Sequence, residues 1–201
     1  MDYLILGFLT GLSLILAIGA QNIFVIEQGL KKQYVFIVCL ICSVSDFLLI
    51  FLGIFLFQYL NHYFTPTIEL VFNILLLIFL SHFIWVKIKT KVSETSFDTD
   101  NKTNNLPNIV VKTLGFTFLN PHVYSDTVFF LGNFSKSLSL VDKYYFGTGA
   151  AISSFLFFFI IGYLSKYFSK YLKSVKTWKR INYVIILFMS SLALKVLMEI
   201  I

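Results

Sequence analysis

The chain has 201 residues, 58% of them hydrophobic and only 13% charged, and a mean hydropathy of +0.83. That leaves too little polar surface to coat a water-soluble domain of this size. The net charge of +6 would point to nucleic acid in a soluble chain, but here the cations fall between apolar runs, so nucleic acid is excluded as a partner and the lipid bilayer takes its place.

Crossing about 30 Å of hydrocarbon takes about 20 apolar residues. Six runs qualify, at 3–26, 34–57, 66–86, 109–132, 146–165 and 182–200, so the expected class is all-α, a polytopic membrane protein. The first run has no basic leader, opens on Asp2 and carries Gln21 and Asn22 where a signal peptide would be apolar or cleaved, so it reads as a retained helix. Near its start, Gly7 and Gly11 form a G-x-x-x-G step that lets another backbone come close, inside the bundle rather than at a dimer face. Gly19-Ala20-Gln21-Asn22 then interrupts it. Lys31 and Lys32 follow, with Glu27 read as a solvated interface residue.

The second run carries a small and polar stripe at helical spacing, Cys39, Cys42, Ser43, Asp46 and Gly53, which should face the bundle interior. Cys39 and Cys42 lie on one face with no further Cys, so they read as packing thiols, with no disulfide and no metal site. His62 in the next loop, Glu69 at the outer start of the third run and His82 near its inner end read as solvated interface residues, and Trp85 beside Lys87 fits an inner aromatic belt. A polar linker at 93–107 joins two triplets of runs, residues 1–92 and 108–201, within one transmembrane domain. Three spans being odd, a duplicated triplet sits upside down relative to the first, which gives two inverted three-helix repeats.

The fourth run is interrupted at Leu119-Asn120-Pro121-His122-Val123-Tyr124, the counterpart of the first break, and Gly29 and Gly132 follow the two breaks. Helices 1 and 4 of the six are therefore expected to be broken, at Gly19 and Pro121. Gly147-Thr148-Gly149 opens the fifth run, but no strand precedes it and it is not a nucleotide loop. The lysines after the first, third and fifth runs place those loops in the cytoplasm and both termini outside. In the sixth run the apolar stretch from Tyr183 to Leu194 is short, and Lys195 and Glu199 can pair or snorkel, so a five-helix topology competes.

Asp46 lies about a dozen residues into its run, near mid-membrane at about 1.5 Å per residue. An acid there costs on the order of 2.5 to 3.5 kcal/mol on insertion scales. Asp126 is the second such acid, with His122 one turn before it and Asn120, Tyr124 and Thr127 along one side. Structural roles compete: Asp46 capping a freed N–H, Asp126 pairing with His122 or Lys112. Two acids on different helices beside two breaks favour function, and buried carboxylates suit an exchange of proton for cation.

The segments Leu14 to Asn22, Gln28-Gly29-Leu30, Cys42 to Asp46 and Phe118 to Thr127 resemble the signature segments of the LysE family of basic amino acid exporters, in order and over the whole chain. The resemblance implies a bacterial inner-membrane, multi-pass exporter of L-lysine or L-arginine driven by protons, with Asp46 and Asp126 matching the family's paired aspartates. Where the family has prolines around Ile-Gly, this chain has Ala17 and Ala20, which allows a less rigid break. Expected substrate contacts are Gly19, Gln21, Asn22, Asp46, Asn120, Tyr124 and Asp126; expected proton carriers are Asp46 and Asp126, alternately holding cargo and proton. No enzyme activity and no cofactor are expected, and small-residue faces permit a homodimer.

Three alternatives stand beside this reading. Two are export of a neutral amino acid and export of a divalent cation on the same scaffold; the third is an intramembrane aspartyl protease, disfavoured because both acids follow serine.

Overall fold

The computed structural model describes residues 2–16, 19–63, 65–89, 105–169 and 175–200. Ala17, Lys102, Lys170, Lys173 and nearly all of the 93–107 linker lie outside them, as do the side chains of His62, Glu69, Lys87, Trp178, Lys195 and Glu199. Among the described residues all regular structure is helical: α1 (Asp2–Ile15), α2 (Ala20–Lys31), α3 (Val35–Tyr63), α4 (Pro66–Lys89), α5 (Leu106–Phe118), α6 (Pro121–Tyr124), a wide π turn (Ser125–Phe130), α7 (Leu131–Ser135), α8 (Leu140–Phe168) and α9 (Val175–Ile200). Helix α5 starts inside the expected linker. Pro107 lies in its first turn, where a missing N–H costs no helical hydrogen bond.

Among the described residues, four helices hold stretches long and apolar enough to cross a membrane: Val35–Phe57, Pro66–Val86, Leu140–Phe168 and Lys179–Met198. The pair α1 and α2, bent by 82°, supplies a fifth if counted as one span. The short sixth run is thus part of a 20-residue stretch, because the helix continues through Lys179 and Arg180. The fourth run is divided among α5, α6, the π turn and α7 and forms no single membrane-length helix. Outward-facing side chains such as Ile78, Leu187 and Met198 (72% exposed) are apolar, as a lipid-facing surface demands.

Helix α8 packs along α1 and α2, while α3 packs along α5, the π turn and α7; α3 and α8 also touch, and α4 pairs with α9. Glycines set these approaches. A β-carbon on Gly7 would overlap the Phe146 carbonyl and one on Gly149 the Leu4 carbonyl, so the G-x-x-x-G face is occupied by α8, within the bundle as expected. Gly149 supplies the other half of that contact, while Gly147 faces Phe51 and Ile54 of α3. Beyond the breaks, a β-carbon on Gly29 would come within 2.5 Å of the Gly162 carbonyl, and one on Gly132 within 2.8 Å of the Gly53 carbonyl.

Phe116, fully buried, gathers Phe24, Phe79 and Phe83 around it at centroid distances of 4.9, 4.7 and 5.0 Å, tying α2, α4 and α5 together. Each such pair contributes about 0.5–1.5 kcal/mol beyond area burial. Both cysteines are buried and free, and the Cys39 thiol donates to the Phe158 carbonyl at 3.2 Å, in keeping with packing thiols. Lys89 lies 4.3 Å from the centre of the exposed Trp85 ring, an arrangement suited to the headgroup region.

One expectation is overturned. Glu27 is 2% exposed rather than solvated, and its Oε1 meets Lys31 Nζ at 2.6 Å one turn on. The reason is tertiary: α2 packs against α3, α5 and α8, and Lys112 of α5 stands near the carboxylate.

Candidate functional site

At the first break Gly19 adopts an extended conformation (φ −110°, ψ −176°) and offers α2 no side-chain cap. The Ile23 N–H closes the first turn onto the Gly19 carbonyl. The leading N–H groups of a helix lack intrahelical partners and carry its partial positive charge. On the other side of the break, Asn22 donates from Nδ2 to the Ile15 carbonyl of α1 at 3.1 Å. Asn22 thereby bridges the two half-helices and satisfies a carbonyl that the bilayer would leave dry.

The second break is held by its own motif. The His122 N–H donates to Asn120 Oδ1 at 3.1 Å, and the Tyr124 hydroxyl donates to the Phe118 carbonyl, the last of α5, at 2.9 Å. Pro121 opens α6, where its missing N–H costs nothing. The backbone then widens into the π turn, with the Leu131 N–H bonded to the Asp126 carbonyl and Thr127 Oγ1 donating to the Val123 carbonyl at 2.5 Å. Such turns inside α-helices recur at functional sites because they redirect a side chain, and here the redirected residues include Asp126.

The breaks meet: a β-carbon on Gly19 would lie 4.0 Å from Asn120 Nδ2. Between them opens a cavity of about 330 Å³, bordered by Gly19, Ala20, Gln21, Asn22, Asn120, His122, Asp126 and Thr127, with Asp46 from α3 and Ser154 from α8. Leu76, Leu80, Ile50 and Val196 form its apolar walls, and no Lys or Arg borders it among the described residues. The volume falls within the usual range for small-molecule pockets, about 300–1,000 Å³. Asp46 is 5% exposed, and its Oδ2 accepts from Ser154 Oγ at 2.7 Å rather than capping a break. Lys112 stands near Glu27 and Lys31.

Of the residues expected at the site, Gly19, Gln21, Asn22, Asp46, Asn120 and Asp126 border the cavity, and Tyr124 does not. The Pro121 side chain lies outside the described residues. Ser154 was missed. Its only signal is the Ser153-Ser154 pair in the middle of an apolar helix, and serines there usually bond their own backbone, as Ser153 does to Ala150. Ser154→Ala should weaken cargo binding by about 10-fold, the worth of one hydrogen bond to a charged group, about 1.5 kcal/mol. The measurement is the half-saturating cargo concentration in membrane vesicles, with the amount of inserted protein as control.

A model of the LysE type translocator family matches residues 12–200, nearly the whole chain. This chain belongs to that family. Among similar proteins, the arginine exporter protein ArgO of Klebsiella pneumoniae (strain 342) is 32% identical over 190 residues, covering 91% of this chain and 87% of that protein. ArgO of Pectobacterium atrosepticum (strain SCRI 1043) is 33% identical over 193 residues, 94% and 93% of the two chains. ArgO of Salmonella paratyphi C (strain RKS4594) is 32% identical over 188 residues, 90% and 86%. No solved structure matches the chain. As a LysE type translocator the protein is a multi-pass transporter of the bacterial inner membrane and not an enzyme, which removes the protease alternative.

Proposed function

We propose that this translocator exports basic L-amino acids, arginine first, from the cytoplasm in exchange for protons. The observation that carries the reading is that Asp46 and Asp126 face one cavity at the meeting point of two helix breaks, with no Lys or Arg bordering it among the described residues. Two carboxylates in an otherwise largely apolar cavity suit a cationic cargo and leave an uncharged one with nothing to neutralise. The names of the ArgO relatives favour arginine; lysine is the second cargo, since a carboxylate attracts both cations. Moving a cation outward against an inside-negative potential costs roughly 2.3 kcal/mol per charge per 100 mV, and the chain carries no P-loop for ATP. A proton entering as cargo leaves supplies that energy. Asp46 and Asp126 hold the cation when ionised and release it when protonated from outside, between the breaks at Gly19 and Pro121.

The architecture behind this is six spans in two inverted repeats, with α1–α2 and α5–α7 as the broken spans and the loops after the first, third and fifth spans in the cytoplasm. Its support is reciprocal packing. The second long helix of each half, α3 or α8, runs along the broken span of the other half. The glycine after each break meets a glycine of that helix, Gly29 with Gly162 and Gly132 with Gly53. Such repeats suit a site alternately exposed to the two sides.

The test is efflux from bacterial cells loaded through arginine- or lysine-containing dipeptides. Cells making the protein should lose arginine faster than controls, and a protonophore should abolish the difference. Accelerated loss of a neutral amino acid or a divalent cation, with arginine retained, would overturn the proposal.

A further inference from the structure

Three helices leave the cavity side by side, and each carries a phenylalanine one turn beyond a residue of the cavity wall. Phe24 follows Ala20 on α2, Phe83 follows Leu80 on α4, and Phe116 precedes Asn120 at the end of α5. Spacings of three and four residues keep each ring on the helix face of the wall residue beside it. The three rings are buried and meet: Phe24 and Phe83 lie 4.9 and 5.0 Å from Phe116 and 6.4 Å from each other. Phe79 adds a fourth ring at 4.7 Å, where a β-carbon on Gly115 would come within 2.7 Å of it. Rings packed this closely leave a guanidinium group no room to pass between them. One turn further along the same helices the layer is ionic. Glu27 of α2 is buried against Lys31, and Lys112 of α5 stands near both.

We infer that Phe24, Phe83 and Phe116, backed by Glu27, Lys31 and Lys112, form the cytoplasmic gate of the cavity, which this structure holds shut. The inference rests on the topology and export proposed above and adds the device that closes the loading side. In that topology the lysine-rich ends of α2 and α4 and the start of α5 face the cytoplasm, so cargo bound for Asp46 crosses the ionic layer first and the rings second. The helices that carry the gate are suited to part. Helix α2 lies between the break at Gly19, where a β-carbon would meet nothing closer than 4.0 Å, and a turn in which Lys32 and Tyr34 take left-handed conformations (φ 56° and 47°). Helix α5 ends at the second break. Each can tilt about its break while the long spans stay whole, the hinge motion that alternating access requires.

The experiment reads access to the cavity. Leu192→Cys places one reporter thiol on its wall, with Cys39→Ala and Cys42→Ala removing the native thiols. Reaction with a membrane-impermeant methanethiosulfonate is timed in inside-out vesicles, where the reagent meets the cytoplasmic face, and in right-side-out vesicles. With the gate intact, reaction from the cytoplasmic face should be slow. Phe116→Ala loses three ring contacts and should speed it at least about tenfold. Glu27→Gln keeps the side-chain size and should speed it about threefold, the worth of a partly screened ion pair; if Phe116→Ala fails to insert, this variant decides. Neither should speed reaction from the outer face. Phe146→Ala controls for general loosening, since it removes an equally buried ring from α8 where that helix meets Gly7, and it should leave cytoplasmic access unchanged. Fast reaction with the gate intact, unchanged rates in the gate variants, or acceleration from both faces or in the control would overturn the gate. Acceleration from the outer face alone would overturn the topology beneath it. The export proposal stands or falls separately, on arginine uptake by the same inside-out vesicles.

Discussion

Asp46→Asn is expected to lower arginine efflux at least about 100-fold while the protein inserts and purifies as before. The substitution keeps the size of the side chain and leaves an amide oxygen to accept from Ser154 Oγ, now 2.7 Å from Asp46 Oδ2, so the contact of α3 with α8 survives. What disappears is the charge. Removing one member of a buried, hydrogen-bonded charge pair costs about 2–5 kcal/mol, and about 2.7 kcal/mol is already 100-fold in rate or affinity. Asp126→Asn should act in the same direction, with a smaller loss of binding because Asp126 is only half-buried. The two differ from general damage in one readout. Each variant should also lose proton movement driven by an arginine gradient, measured with a pH-sensitive dye in proteoliposomes. If both variants exported arginine at the wild-type rate, the carboxylate pair would have no part in transport.

The second large effect concerns assembly. Gly149→Val is expected to remove the monodisperse peak of the detergent-extracted protein and with it all export, and Gly7→Val should do the same. At both positions an added β-carbon would overlap a backbone carbonyl of the facing helix, Leu4 on α1 or Phe146 on α8. Backbone cannot rotate away as a side chain can, so α1 and α8 must separate along their length. Overpacking commonly costs 1–3 kcal/mol and more where nothing yields; here the loss spreads over every contact of that helix pair. Gly19→Ala is the control. Its β-carbon meets nothing closer than Asn120 Nδ2 at 4.0 Å, and its φ of −110° suits any residue. Gly19→Ala should therefore purify normally, and a collapse of this variant would show that break geometry, rather than helix approach, controls assembly.

Much of the site was legible because the bilayer makes polarity expensive. Asp46, Gln21 and Asn120 are conspicuous in apolar runs, and a linear reading finds them with no knowledge of contacts. The same reading failed at Glu27. Near the end of an apolar run, a carboxylate exposed to headgroups and one buried beside Lys112 of α5 look identical in sequence, and only the packing of α2 in the bundle separates them. It also pooled residues that do different work. Asn22 and Tyr124 bond the ends of the broken helices, whereas Gln21, next to Asn22, turns to the Cys42 thiol of α3. Which of two adjacent amides meets a carbonyl depends on the 82° bend, and no spacing rule contains that angle.

By itself the sequence determined the membrane, the all-helical class, the two breaks and the acids beside them. Each of these follows from local composition: apolar length, glycine and proline in a helix, and charge where hydrocarbon should be. Tertiary structure alone decided that Gly19 and Asn120 face each other across one cavity, that Asp46 takes its hydrogen bond from Ser154, 108 residues away, and that the π turn carries Asp126 to the same space. Those facts depend on how α3 and α8 lie against the opposite broken helices. That packing is set by backbone approach at glycines far apart in the chain, where the matching surface of each helix lies on another helix and not in its own sequence neighbourhood.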